Sequence, residues 1–198
     1  MTRLSPLPVD EWDDAARAVL PTYLRRPELY LRDTDPLPMP QALGLLAHHL
    51  PLGEAWLSFN QVLVQDAVLD VQLRELIILR VAWRTRSTYE WAQHTRIGLQ
   101  AGLTVEQLHA VPEGAAAGVW SPVERALLAA TDQMVDRQRV DNATWDELGE
   151  HFDDTQLLEM LFIAGSYICF AVIVNSARMK PDPPTEPVDA PVLLEAED

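Results

Sequence analysis

ELIILRVAWRTRSTYEWAQH, residues 75–94, sets three groups able to move protons, Glu75, Glu90 and His94, among apolar neighbours. The spacing predicts two helices, a first running to about Arg86 and a second starting near Ser87 or Thr88. On a 3.6-residue repeat Ser87, Glu90, Trp91, His94, Gly98 and Ala101 fall along one stripe, while Tyr89, Gln93, Arg96 and Gln100 fall opposite. Glu75 shares its face with Ile78, Leu79 and Ala82, on a segment where only Arg74, Arg80 and Arg84 interrupt the apolar surface. A buried carboxylate is costly unless it is paired, hydrogen-bonded or protonated. Two carboxylates and an imidazole pointing inward therefore point to an acid/base site.

The flanks read as further helices. On the N-terminal side, SPLPVDEWDDAARAVLP predicts an extended arm and a short helix capped by Asp10 and stopped by Pro21. Pro27, Pro36 and Pro38 make 21–39 a long irregular connection. Pro40 suits the first turn of a helix to about His49, and Pro51 the start of another to about Gln65. On the C-terminal side Gly102 is a helix stop, TVEQ from Thr104 is a capping box, and SPVE from Ser121 combines an N-cap, a first-turn proline and a glutamate three residues on. Asp141 or Asn142 opens a helix to His151, and Asp153 or Asp154 caps a long apolar helix ending near Met179. Strand signals are weak throughout. The expectation is an all-α domain of about eight or nine helices over residues 1–180, with a central helical hairpin. Residues 181–198 hold five prolines, six acids and no lysine or arginine, a tail expected to be disordered or draped on the surface.

Composition narrows the function classes. At 198 residues the chain is long enough for one well-buried domain. A net charge of −15 and a pI of ≈ 4.6 argue against nucleic acid and against an anionic membrane surface, both of which reward basic patches. The single cysteine, Cys169, rules out an intrachain disulfide and leaves no CxxC pair; its setting in SYICFAV reads as packed core. LLEMLFIAGSYICFAVIV, 157–174, has the length of a membrane span, but Glu159, Ser166 and Tyr167 inside it favour a core helix at a subunit contact. No basic flank precedes an apolar run at the N-terminus, so a cytoplasmic location is expected.

Within the central stretch, Glu90 and His94 stand four apart and can touch along one helix, and a hairpin brings Glu75 across from them. Such a cluster can remove a proton from carbon, protonate an enolate or assist loss of carbon dioxide. Desolvation raises the carboxylate pKa values and mutual repulsion pushes them apart. Glu90 with His94 has metal-ligand spacing, but zinc wants more ligands than this region offers, and adjacent His48 and His49 cannot share a helical face; no metal is expected. Ser87 and Tyr89 are candidate hydrogen-bonding partners for a substrate, Trp83, Trp91, Phe59 and Tyr167 candidate walls for a flat or cyclic one, and Arg80 a candidate clamp for its carboxylate. Glycine loops for phosphates and a serine-hydrolase elbow are both missing, so no nucleotide cofactor is implied.

RELIILRVAW followed by YEWAQHTRIGLQAGL resembles the signature region of the carboxymuconolactone decarboxylase family, within the alkylhydroperoxidase D-like superfamily. The likeness continues more loosely through RLSPLPVDEW, SPVERALL and the apolar helix ending in NSARM, covering roughly residues 3–179. The resemblance implies an all-α fold built around a helical hairpin and a homo-oligomer, whether dimer, trimer or hexamer. In the peroxidase branch a glutamate, a CxxC pair and a histidine act together. Glu75 and His94 match the first and last, whereas Ser87 and Glu90 occupy the cysteine positions and can form neither sulfenate nor disulfide. The decarboxylase branch lacks the thiol pair as well, so the resemblance favours a cofactor-free lyase or isomerase acting on a small carboxylated or carbonyl-bearing cyclic compound. In that reading His94 is the main acid/base, Glu90 orients or tunes it, and Glu75 is the second carboxylate. A peroxiredoxin-type reductase relying on Cys169, and a ligand-binding or scaffold protein without chemistry, are the alternatives.

Overall fold

Helix punctuation written in the sequence accounts for most element boundaries. The computed structural model describes residues 2–183 and 188–194. Among these lie nine helices of six or more residues: α1 Asp14–Val19, α2 Gln41–Leu46, α3 Leu50–Gln61, α4 Val71–Arg84, α5 Thr88–Ala101, α6 Val105–Ala110, α7 Pro122–Arg137, α8 Asn142–Gly149 and α9 Asp154–Ala177. The all-α expectation holds, with the α4–α5 hairpin in place. Both capping boxes form, at Thr104 with Gln107 and at Ser121 with Glu124, and Gly102 ends α5 in the left-handed region at φ 108°.

Some boundaries move. Asp13, not Asp10, caps α1: its Oδ1 accepts from Ala16 N at 2.7 Å, while Asp10 lies within a preceding 3₁₀ turn. Pro21 does not stop the chain's coiling, which continues as a 3₁₀ turn over Leu20–Tyr23. The prolines at 40 and 51 behave differently. Pro40 stands before α2 as its cap, whereas Pro51 sits in the first turn of α3 as expected. His49 caps that helix through Nδ1, accepting from Leu52 N at 3.2 Å.

Contacts divide the chain into two units. The first, Met1–Asp66 with Ala177–Met179, packs Trp12, Ala16, Leu20 and Leu43 as its core, and Leu7, Leu24, Met39 and Leu57 close around them. Trp12 Nε1 donates to Leu7 O at 2.9 Å, which fixes the arm expected before α1.

The second unit, Ala67–Ser176 with Lys180–Asp198, is built on α4. Leu76, Ile77, Ile78, Leu79, Val81 and Ala82 are all fully buried, so this helix is covered on every side along that run and lies central, with Arg74, Glu75 and Arg80 buried alongside. Its principal neighbours are α5 and α7. Close approach to α5 depends on Gly98: a Cβ there would stand 2.9 Å from Leu103 Cδ1 and 3.2 Å from Leu79 Cδ1. The α4–α5 turn is tight, with Arg86 at φ 54° and Ser87 N donating back to Ala82 O at 2.9 Å.

α9 is the one described helix long and apolar enough to cross a membrane by length and composition. Its Met160, Ile163, Ala164, Ala171 and Val174 are buried, whereas Leu158, Phe162 and Val172 are at least half exposed. Glu159 within it has a structural use, accepting from Val68 N at 3.0 Å and Leu69 N at 2.8 Å and so capping the approach to α4. Cys169 is exposed, a correction to its expected place in the core: it falls on the same face of α9 as the exposed Leu158, Phe162 and Val172.

The acidic tail is draped rather than loose where it is described. Trp91 Nε1 donates to Pro191 O at 2.9 Å, Tyr89 Oη and Gln93 Nε2 both donate to Asp182 Oδ2, and Val188, Ala190 and Leu193 pack on the core around Leu76, Leu79 and Trp91. Residues 184–187 and 195–198, included in that expectation, lie outside the described residues.

Candidate acid/base site

The three proton-moving groups all sit in the second unit, on the two helices of the hairpin. Asp70 starts α4 by accepting from Gln72 N and Leu73 N, which sets the phase that turns Glu75 inward, and the Thr85–Ser87 turn then lays α5 against it. Glu75 and Glu90 are each 2% exposed.

His94 meets Glu75 rather than Glu90. Nδ1 of His94 lies 2.7 Å from Glu75 Oε2, and Arg74 Nε donates to Glu75 Oε1 at 3.3 Å. Burial pushes the Glu75 carboxyl up, but the His94 and Arg74 partners outweigh it and hold the group below the usual carboxylate range. An ionised carboxylate only accepts, so Nδ1 carries the proton that bridges them. In the neutral ring that leaves the lone pair on Nε2. The expectation that Glu90 orients His94 is therefore corrected: helical spacing allows an i, i+4 contact, but a cross-helix carboxylate with the better approach takes the imidazole.

Glu90 is left without such partners. Neither of its oxygens, nor Ser87 Oγ, has a hydrogen bond from a described protein group. Ser87 is fully buried and stands at the N-cap of α5, yet its hydroxyl makes no capping bond. Burial pushes Glu90 up to about 8, with the nearby Ser87 hydroxyl acting weakly the other way. One carboxyl group is thus ionised and one protonated at neutral pH.

Tyr167 of α9 completes the cluster. Its ring meets His94 edge-on, with centroids 5.0 Å apart and planes at 88°. Burial, then the negative charge of Glu75 and Glu90, pushes its phenol well above the ordinary range, so it stays a neutral O–H. The sequence signal for it was slight, a polar tip beside Ser166 within an otherwise apolar run. Arg74 had only the signal of a cation next to the key glutamate.

The other candidates are committed elsewhere. Arg80, the candidate clamp, is already engaged by protein groups: Nε and Nη2 grip Asp132 at 2.6 and 2.8 Å, and Nη1 donates to Val111 O and Pro112 O. Its fork is spent on joining α4 to α7 and to the end of α6. Trp83 and Trp91 pack edge-to-face at 5.2 Å on the core cluster. Tyr89 is held by Asp182. Trp91 does line a cavity of ≈ 280 Å³ with Ala92, Thr95, Arg96 and tail residues 181, 182, 188, 190 and 191, but Glu75, Glu90 and His94 do not line it. Phe59 packs against Trp56 in the first unit. Among the described residues no group of three or more His, Cys, Asp or Glu has the arrangement of a metal site.

Residues 51–133, which span both hairpin helices, match the profile of the Carboxymuconolactone decarboxylase family. No curated protein matches the chain. Among solved structures it is similar to an alkylhydroperoxidase AhpD core, an uncharacterised peroxidase-related protein from Ralstonia eutropha JMP134, at 19% identity and a TM-score of 0.72, covering 90% of this chain and 93% of that one. It is similar also to the debrominase Bmp8 in complex with 2,3,4-tribromopyrrole, at 13% identity and a TM-score of 0.72, covering 92% of each chain. These likenesses show a shared fold.

Proposed function

We propose that this chain, whose residues 51–133 match the profile of the carboxymuconolactone decarboxylase family, is a lyase or isomerase working by proton transfer at carbon. The observation that carries this reading is the Glu75–His94 pair, 2.7 Å apart across the hairpin, with Glu75 buried and His94 partly so. Glu75 fixes the tautomer and orientation of the ring and balances the imidazolium when it forms; His94 Nε2 is the atom that takes or gives the proton. Such chemistry, beside a carbonyl that can hold the electron pair, calls for no cofactor. The substrate class is a small carboxylated or carbonyl-bearing cyclic compound.

Ser87 and Glu90 at the two thiol positions of the peroxidase branch weigh against a peroxide reductase. The apolar side chains of Leu158, Phe162 and Val172 left exposed on α9 support assembly into a homo-oligomer, which light scattering on the purified protein tests.

Proton NMR in heavy water tests the chemistry, following lactone acids, β-keto acids and enolisable ketones with wild type and His94→Ala side by side. Deuterium uptake or carbon dioxide loss that depends on His94 is the expected result. Turnover unchanged in His94→Ala overturns the assignment, and binding without turnover by wild type favours the scaffold alternative.

A further inference from the structure

We infer that Glu90 enters the reaction as a neutral carboxylic acid that donates its proton in a hydrogen bond to the substrate oxygen on which negative charge collects, so that the site takes compounds whose carbon proton transfer runs through an enolate. The inference rests on the proton-transfer reading above and adds to it a second role, at oxygen, and a narrower substrate class.

Charge distribution within the cluster is the first ground. Ser87 on α5 and Tyr167 on α9 stand near Glu90, and Tyr167 also feels Glu75 and Arg74 of α4. Both cationic candidates, Arg74 and His94, are bonded to Glu75. Among the described residues no cation is hydrogen-bonded to Glu90. With 2% exposure it cannot be solvated as an anion, and desolvation keeps it protonated through neutrality.

The second ground is unspent hydrogen-bonding capacity. Buried polar groups in folded proteins are almost always paired, and an exception calls for an explanation. Here three oxygens lie together, both of Glu90 and the hydroxyl of Ser87 three residues back on the same stripe, and beyond one another they have no partner among the described residues. His94, one turn further on, supplies the proton acceptor. A substrate oxygen bonded to Glu90 satisfies the orphaned O–H while its reacting carbon faces the imidazole.

The electron count closes. His94 Nε2 takes the proton from the carbon beside the carbonyl, the C–H pair becomes the C=C bond, and the carbonyl π pair moves onto oxygen, where the Glu90 O–H meets it. In decarboxylation His94 Nε2 first takes the proton of the substrate's carboxyl group, the C–CO₂ pair then follows the same route onto oxygen as carbon dioxide leaves, and the imidazolium delivers that proton to carbon. A carboxylic acid kept neutral by an apolar site is a known donor to such oxyanions, and donors placed where charge develops carry much of the rate.

Binding of 4-nitrophenol tests the role without turnover, because its phenolate mimics the enolate oxygen and absorbs apart from the phenol. With wild type, phenolate binding is expected to weaken above pH of about 8, as Glu90 loses its proton and two anions meet. Glu90→Gln keeps a donor and is expected to lose the high-pH limb; Glu90→Ala loses about 10–100-fold in affinity at pH 7. His94→Ala is expected to keep the limb, so failure of the proton-carrier assignment and failure of the Glu90 assignment are told apart. A high-pH limb that persists in Glu90→Gln, wild-type affinity in Glu90→Ala, or no phenolate binding by wild type overturns the inference. Infrared spectroscopy at pH 7 provides a ligand-free measurement: a protonated-carboxyl band present in wild type and missing from Glu90→Gln is expected, and its absence from wild type overturns the inference.

Discussion

Glu75 Oε2 and His94 Nδ1, nineteen residues apart in sequence, stand 2.7 Å apart across the hairpin, and this contact occupies one imidazole nitrogen and leaves Nε2 for the proposed proton transfer. Glu75→Gln keeps the side-chain shape but substitutes an amide able to donate to Nδ1. The proton on the ring then moves to Nε2, and the base is lost. Nitrogen-15 NMR should find His94 protonated at Nδ1 in wild type and not in Glu75→Gln. Turnover of any carbon acid found as substrate should fall by about 10²–10⁴ in either Glu75→Gln or His94→Ala.

Glu90 makes the fold pH-sensitive in the alkaline direction. Its folded pKa of about 8 exceeds the ordinary 4.5, so the native state binds more protons than the unfolded chain between these values. The contribution is fully present below pH 4.5 and is lost as pH rises to 8. Chemical denaturation should therefore find Glu90→Gln close to wild type at pH 5 and more stable than it at pH 9, by about 2–4 kcal/mol. A parallel pH dependence of the two proteins would contradict the buried, unpaired setting.

Glu75 acts with the opposite sign. Its folded pKa lies below 4.5, so its contribution is present above that value and is lost as pH falls through the folded pKa. Stability measured from pH 6 down to pH 2 should fall more steeply for wild type than for Glu75→Gln.

Arg80 is a structural clamp, and its replacement should cost stability rather than chemistry. Arg80→Met leaves the Val111 and Pro112 carbonyls without their donor and Asp132 with Arg84 alone, at 2.7 Å. A loss of about 3 kcal/mol is expected in urea denaturation, at the low end for breaking a buried pair because Asp132 is partly exposed and keeps one cation. Gly114→Ala should destabilise through the same clamp, since a Cβ there overlaps the Arg80 guanidinium and the residue holds φ 72°.

Removing residues 181–198 takes away the carbonyl that receives the Trp91 indole, the carboxylate that holds Tyr89 and Gln93, and the cover of Val188, Ala190 and Leu193. Tryptophan emission should shift to the red, and stability should drop by about 1–3 kcal/mol. Unchanged emission would mean that the tail leaves Trp91 exposed in solution.

Caps and stops were legible because they act within four residues. Thr104, Ser121, Asp141 and Gly102 end or begin helices as their local chemistry dictates, and where several acids compete, as Asp10 and Asp13 do, the choice falls to the backbone of the preceding turn. The inward stripe of Ser87, Glu90 and His94 was legible for a related reason: helical periodicity alone puts them on one face. What periodicity cannot say is which partner on another helix reaches first. It allowed Glu90 to hold His94, and it allowed Arg80 to await a substrate.

The sequence by itself determined the all-α class, the hairpin at 71–101 and the inward direction of Glu75, Glu90 and His94, since propensity, capping and a 3.6-residue repeat are local properties. Only the tertiary structure decided that Glu75 takes both the imidazole and the Arg74 guanidinium, that Glu90 is left buried and protonated, and that Tyr167 closes over them from α9. Those outcomes are set by competition among groups far apart in the chain. Distance and desolvation, which the packing of helices fixes, decide which charge is compensated and which is given up.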